Sequence, residues 1–98
     1  MTSEYTSLER ALEVSYAMLA EAREGRWDRL PRLEVERQPL LRAEYPRDAR
    51  SRDLLQQLLA CNEEMLALAA RARAQVASAL RQQYRAGQAL RTYVGVAG

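Results

Sequence analysis

Residues 51–87 read SRDLLQQLLACNEEMLALAARARAQVASALRQQYRAG, with no proline anywhere and no glycine before the last position. Leu54, Leu58, Cys61, Met65 and Leu68 recur at steps of three and four, the spacing that lines one face of an α-helix. A second stripe, Leu55, Leu59, Leu66 and Ala69, is centred about 110° further round at 100° per residue. Together the stripes cover nearly half the circumference, more than the arc of roughly 100° that packing against one surface requires. Some of this apolar surface is therefore wedged between two neighbours or left for another molecule. The helix is expected over 51–86, with Ser51 as N-cap and Asp53 close behind it. Its length is then roughly 50 Å at 1.5 Å per residue.

Upstream, Tyr5, Leu8, Leu12, Tyr16 and Leu19 mark a first helix over about 3–24. Thr2 or Ser3 can cap its start, and Gly25 is placed to supply the left-handed residue that closes it. The second helix is expected over 27–45. Pro31 falls in its first turn, where an N–H has no intrahelical partner, while Pro39 lies past two turns and predicts a kink. Tyr45-Pro46 ends the segment, because the residue before proline avoids the α region. The stripe Trp27, Leu30, Glu34, Arg37, Leu41, Tyr45 carries an ion pair at i, i+3 in its middle, so this helix packs imperfectly and can border a groove with apolar walls and a charged lip.

The short link at Gly25 sets the first two helices side by side and antiparallel. They reach only about 33 and 27 Å, so the last turns of the third helix outrun them. Val76, Leu80 and Tyr84 then need cover from a partner or from the chain's own tail, residues 88–98. A bend at Gly87 would let Leu90, Tyr93 and Val94 fold back as a short fourth helix. The expected fold is all-α: an antiparallel bundle of three helices with a long third helix and a short C-terminal fourth helix or tail, in a single domain of 98 residues.

Composition narrows the chemistry. The chain has no His and a single Cys, its 15 basic residues are all arginine, and it lacks a glycine-rich phosphate loop, so no nucleophile has a base beside it. Glu63 and Glu64 are adjacent on a helix and point about 100° apart, which suits neither a shared proton nor a metal site. No enzyme, cofactor or metal is expected, and Cys61 reads as a small buried apolar residue. The longest small or apolar run, residues 65–70, is far below the ~20 residues of a membrane span, and the N-terminus has no apolar core of a signal peptide. A cytoplasmic location is expected.

Charge is uneven. All 13 acidic residues lie at or before Glu64, so residues 65–98 carry +5 and the rest −3, giving the net +2. The late arginines do not gather on one narrow stripe, and a phosphate-tracking face for nucleic acid is poorly formed.

The runs RWDRLPRLEVERQPLL at 26–41, LLQQLLACNEEMLALAARARAQVASAL at 54–80 and YRAGQALRTYVG at 84–95 resemble the flagellar export chaperone FliT family. The similarity follows the family's order: a Trp-Asp-x-Leu opening, a Leu-Glu-x-x-Arg centre, an Asn-Glu-Glu-x-Leu element and a Gly-x-x-x-Leu-x-x-Tyr tail. Pro31 and Pro39 depart from the usual pattern, and the tail stops soon after Tyr93. The resemblance implies a small cytoplasmic chaperone of flagellar type III secretion that binds the filament-cap protein, with the export ATPase and the flagellar master transcriptional regulator as further partners. Leu33, Leu40, Leu58, Met65 and Leu66 are then expected to line the docking surface, with Val76, Leu80 and Tyr84 covered by the tail in the unbound state. Two alternatives stand beside this: a homodimeric structural module without a client, and a regulator that touches DNA directly.

Overall fold

The structure, a computed structural model, describes residues 4–97. Every regular element among them is helical: α1 (Thr6–Arg23), a 3-10 turn (Trp27–Arg29), α2 (Leu30–Arg42) and α3 (Ala49–Ala97). The chain divides into two compact units, one up to Leu68 and one from Ala69 onward.

In the first unit α1 is the central helix. Leu8, Ala11, Leu12, Val14, Ser15, Met18, Leu19 and Ala22 are all buried, an arc of about 160° on a regular helix. Leu54, Leu58, Cys61 and Met65 of α3 join the same core, and Leu30, Leu33 and Leu40 of α2 pack against it half-buried. Each fully buried leucine contributes about 2 kcal/mol from apolar area removed from water. Small residues at Ala11, Ser15 and Ala22 leave room for neighbours to approach α1 closely.

Polar pairs give the directions of the helices. Tyr5 pairs with Asp48, Tyr16 with Gln57 and Arg23 with Glu64, so α1 and the start of α3 advance in the same sense. Glu21 pairs with Arg26 and Arg29, whereas Arg10 pairs with Glu36, so α2 returns alongside α1 in the opposite sense.

The end of α1 follows from Gly25, whose φ of 74° is a conformation that costs other residues strain. Gly25 N–H donates to the Ala22 carbonyl (3.0 Å) and Arg26 N–H to that of Glu21 (2.9 Å), the two bonds of a Schellman closure. The Arg26 side chain then returns to Glu21, with Nε 2.5 Å from Oε2. That hydrogen bond holds the Glu21 carboxyl below its ordinary range, against the opposing effect of partial burial. At the other end, α1 begins at Thr6 after Tyr5, which makes no side-chain cap. The expected caps at Thr2 or Ser3 lie outside the described residues.

Trp27 opens a 3-10 turn rather than the α-helix expected from 27, and α2 stops at Arg42 with Ala43 extended (ψ 155°), short of the expected 45. Pro31 sits in the first turn of α2, and the helix continues through Pro39. Both Pro39 and Val35, whose carbonyl loses its partner to the proline ring, are exposed, so water can take up the lost bond.

α3 starts earlier than expected. Asp48, not Ser51, caps it: Asp48 Oδ1 accepts from Ser51 N–H at 3.0 Å, while Ser51 itself is buried inside the first turn. Asp48 Oδ2 also accepts from the Tyr5 hydroxyl, which lowers the Asp48 pKa and raises that of Tyr5.

In the unit from Ala69 onward, residues 69–97 are one unbroken helical stretch rising roughly 43 Å. The helix passes through Gly87, so the bend expected there and the short fourth helix are absent among the described residues. One glycine costs a helix only about 1 kcal/mol, and Arg85, Ala86, Gln88, Ala89, Leu90 and Arg91 on either side are all strong helix formers.

Candidate functional site

Exposed apolar side chains are the surface feature that stands out. In the first unit, α3 keeps its primary stripe for the core: Leu58 and Met65, expected on a docking surface, are 7% and 6% exposed. The second stripe behaves differently. Leu59 and Leu66 are well over half exposed, Leu55 is half-buried, and the apolar excess anticipated on α3 is therefore open here. Leu33 and Leu40 lie half-buried at the edge of the core, supporting the surface more than presenting it. Leu59, absent from the expected set, belonged to the same stripe as Leu66 and was legible from that period.

Glu34 and Arg37 do not form a charged lip. Arg37 is 8% exposed, its Nη2 lies 2.5 Å from Glu34 Oε2, and its Nη1 donates to Ser15 Oγ of α1 at 3.2 Å. The pair is thus set into the contact between α1 and α2, where the small Ser15 makes space for the guanidinium.

In the second unit, Val76 and Leu80 are each 60% exposed, and Tyr84, Leu90 and Val94 about two thirds. On a regular helix Val76, Leu80, Leu90 and Val94 fall within an arc of about 80°, with Tyr84 about 40° beyond it. Leu90 and Val94, expected to cover Val76 and Leu80 from a folded-back tail, instead extend the same face along one helix. Tyr93 and Val96 are exposed on other sides of it. Gln88 Nε2 donates to the Tyr84 hydroxyl at 2.8 Å, which orients the ring along the helix flank. No acidic residue lies in this unit; Arg73 and Arg91 share the angle between Leu80 and Tyr84, Arg81 and Arg85 line a shallow hollow with Leu80 and Tyr84 on the same flank, and Arg71 lies on the far side.

No cluster of three or more His, Cys, Asp or Glu residues is placed to hold a metal among the described residues. Burial, with Glu64 nearby, pushes the Cys61 thiol pKa up, which makes it a poor nucleophile at neutral pH. No described helix is long and apolar enough to cross a membrane. What the apolar face of the second unit can offer another polypeptide is apolar contact, with arginine along one flank.

A protein-family profile described as "Flagellar protein FliT" matches residues 5–95 of the chain. No curated protein sequence and no solved structure matches it.

Proposed function

The chain belongs to the FliT family of flagellar proteins, whose role is that of an export chaperone, and on that premise we propose that it holds the filament-cap protein in the cytoplasm before export. The observation that carries this reading is the open apolar face of Val76, Leu80, Tyr84, Leu90 and Val94, for which the unit from Ala69 onward supplies no cover of its own. An unfolded or partly folded export substrate exposes apolar segments, and laying one along such a face shields both. Leu66 and Leu59 offer a further apolar patch on the first unit. The export ATPase and the flagellar master regulator are proposed as additional partners on the strength of the family alone.

The test is capture of purified cap protein by the full chain. Val76→Ser with Leu80→Ser should weaken binding about tenfold or more, since central apolar anchors dominate such interfaces. Because both residues are exposed, helicity and unfolding midpoint should stay unchanged. Deleting residues 88–98 should weaken binding too, by removing Leu90 and Val94; stronger binding would restore the idea of the tail as a cover. Undiminished capture by the double variant overturns the assignment of the face.

A further inference from the structure

In the first unit, α2 buries one residue, and that residue is the charged Arg37; Leu30, Leu33 and Leu40 are only half-buried, and Val35 is 74% exposed. Arg29 at its start makes no side-chain cap, and Pro39 removes one of its internal hydrogen bonds. Among the described residues, its polar ties to α1 are the half-exposed ion pair of Arg10 with Glu36, a kind that adds little in water, and the bond from Arg37 to Ser15. α1 and α3 are joined differently. Buried leucines of both share the core, and Tyr5 with Asp48, Tyr16 with Gln57 and Arg23 with Glu64 tie them along their length.

The two neighbours of α1 occupy separate sides of it. On a regular helix Tyr16 and Arg23, which reach α3, lie about 140° round from Arg10 and Glu21, which reach α2 and the turn before it. Val14 and Met18, 2% and 4% exposed, are on the α2 side, and Leu12 is on the α3 side. Non-helical chain bounds α2 at 24–26 and 43–48, and Trp27 and Tyr45, just outside it, pack half-buried on the core. The chain is thus held on either side of a helix that is itself weakly held.

We propose that α2 is a strap: it opens from α1 by itself, between anchors at Trp27 and Tyr45, while α1 stays paired with residues 49–68 of α3, and the open state bares Val14 and Met18 together with the undersides of Leu33 and Leu40. The first unit thereby contains a latent apolar surface that its closed form conceals, made of other residues than the exposed face of the unit from Ala69 onward. The device needs no client and stands apart from the cap-protein assignment.

Amide exchange of the full chain, followed through low urea concentrations at neutral pH, tests it. Amides 34–38 should exchange about tenfold or more faster than the slowest amides of α1, with a smaller but measurable urea dependence, because opening one helix exposes less surface than unfolding the unit. Leu12→Ala weakens the contact of α1 with α3, which the open state retains. It should therefore speed the slowest α1 amides about tenfold or more and leave amides 34–38 at their original rate. Leu12→Val gives the same contrast on a smaller scale where the alanine variant does not fold. Equal acceleration of the two sets overturns the proposal, since α2 then opens only with the whole unit. So does exchange at 34–38 that lacks any urea dependence and differs from residue to residue, which is the fraying of a short helix.

Discussion

Arg37 is a guanidinium inside a small core, held by one ion pair to Glu34 and one hydrogen bond to Ser15, with its Nε unbonded among the described residues. A half-satisfied buried charge adds little net stability, yet cutting it back exposes a void and strands its partner. Arg37→Met should therefore change stability by less than about 1 kcal/mol, or raise it, while Arg37→Ala should cost about 2–4 kcal/mol in urea denaturation. Asp48 and Tyr5 make a second residue-scale device with a definite pH sign. The Tyr5 hydrogen bond and the Ser51 N–H hold the Asp48 pKa below 3.8, so its contribution is present above that value and is lost as pH falls through the lowered pKa. The Tyr5 pKa is raised above 10.0 by the same bond, so its contribution is present below 10.0 and lost as pH rises through the raised value. Asp48→Asn keeps a cap acceptor but cannot titrate; its unfolding midpoint should fall less steeply than that of the parent chain when both are measured from pH 5 down to pH 2.

At the scale of elements, the same substitution should have opposite signs at two glycines. Gly87 lies in a helix with open space around it, and Gly87→Ala should stabilise residues 69–97 by roughly 1 kcal/mol, seen as stronger helical dichroism and slower amide exchange over 80–95. Gly25 has positive φ, and Gly25→Ala should lower stability by about 1 kcal/mol although nothing lies within 4 Å of the added methyl. The contrast follows from backbone conformation, not from packing. Within the first unit α2 is less anchored than α1: Arg37 is its one buried residue, and Pro39 interrupts its hydrogen bonding. Its amides should exchange faster than those of α1, where eight residues are buried.

On the scale of the whole molecule, stability and binding should separate. Leu8 is fully buried, and Leu8→Ala should cost about 3 kcal/mol through lost burial and the cavity left behind. Leu80 is 60% exposed, so Leu80→Ser should shift stability by no more than about 0.5 kcal/mol while abolishing most cap-protein capture. Chemical denaturation and capture measured on both variants check the pair: a chain in which Leu80→Ser unfolds the core would place that residue in packing, not docking.

The sequence by itself determined that the chain is helical and made its helix-forming stretches readable, because periodicity, Gly25 and the proline positions act through local geometry. It also exposed the apolar surplus of α3 and the confinement of acids to the first 64 residues. Tertiary structure decided which helix sits at the centre. The doubled stripe of α3 suggested a wedged helix, yet α1 is the one buried broadly, through Ala11, Ser15 and Ala22, whose small side chains give weak periodic signals but permit close approach. It likewise decided that Leu58 and Met65 go inward while Leu59 and Leu66 stay out, and that Arg37 is buried. A period fixes which residues share a face; which face meets a neighbour depends on what the rest of the chain brings to it.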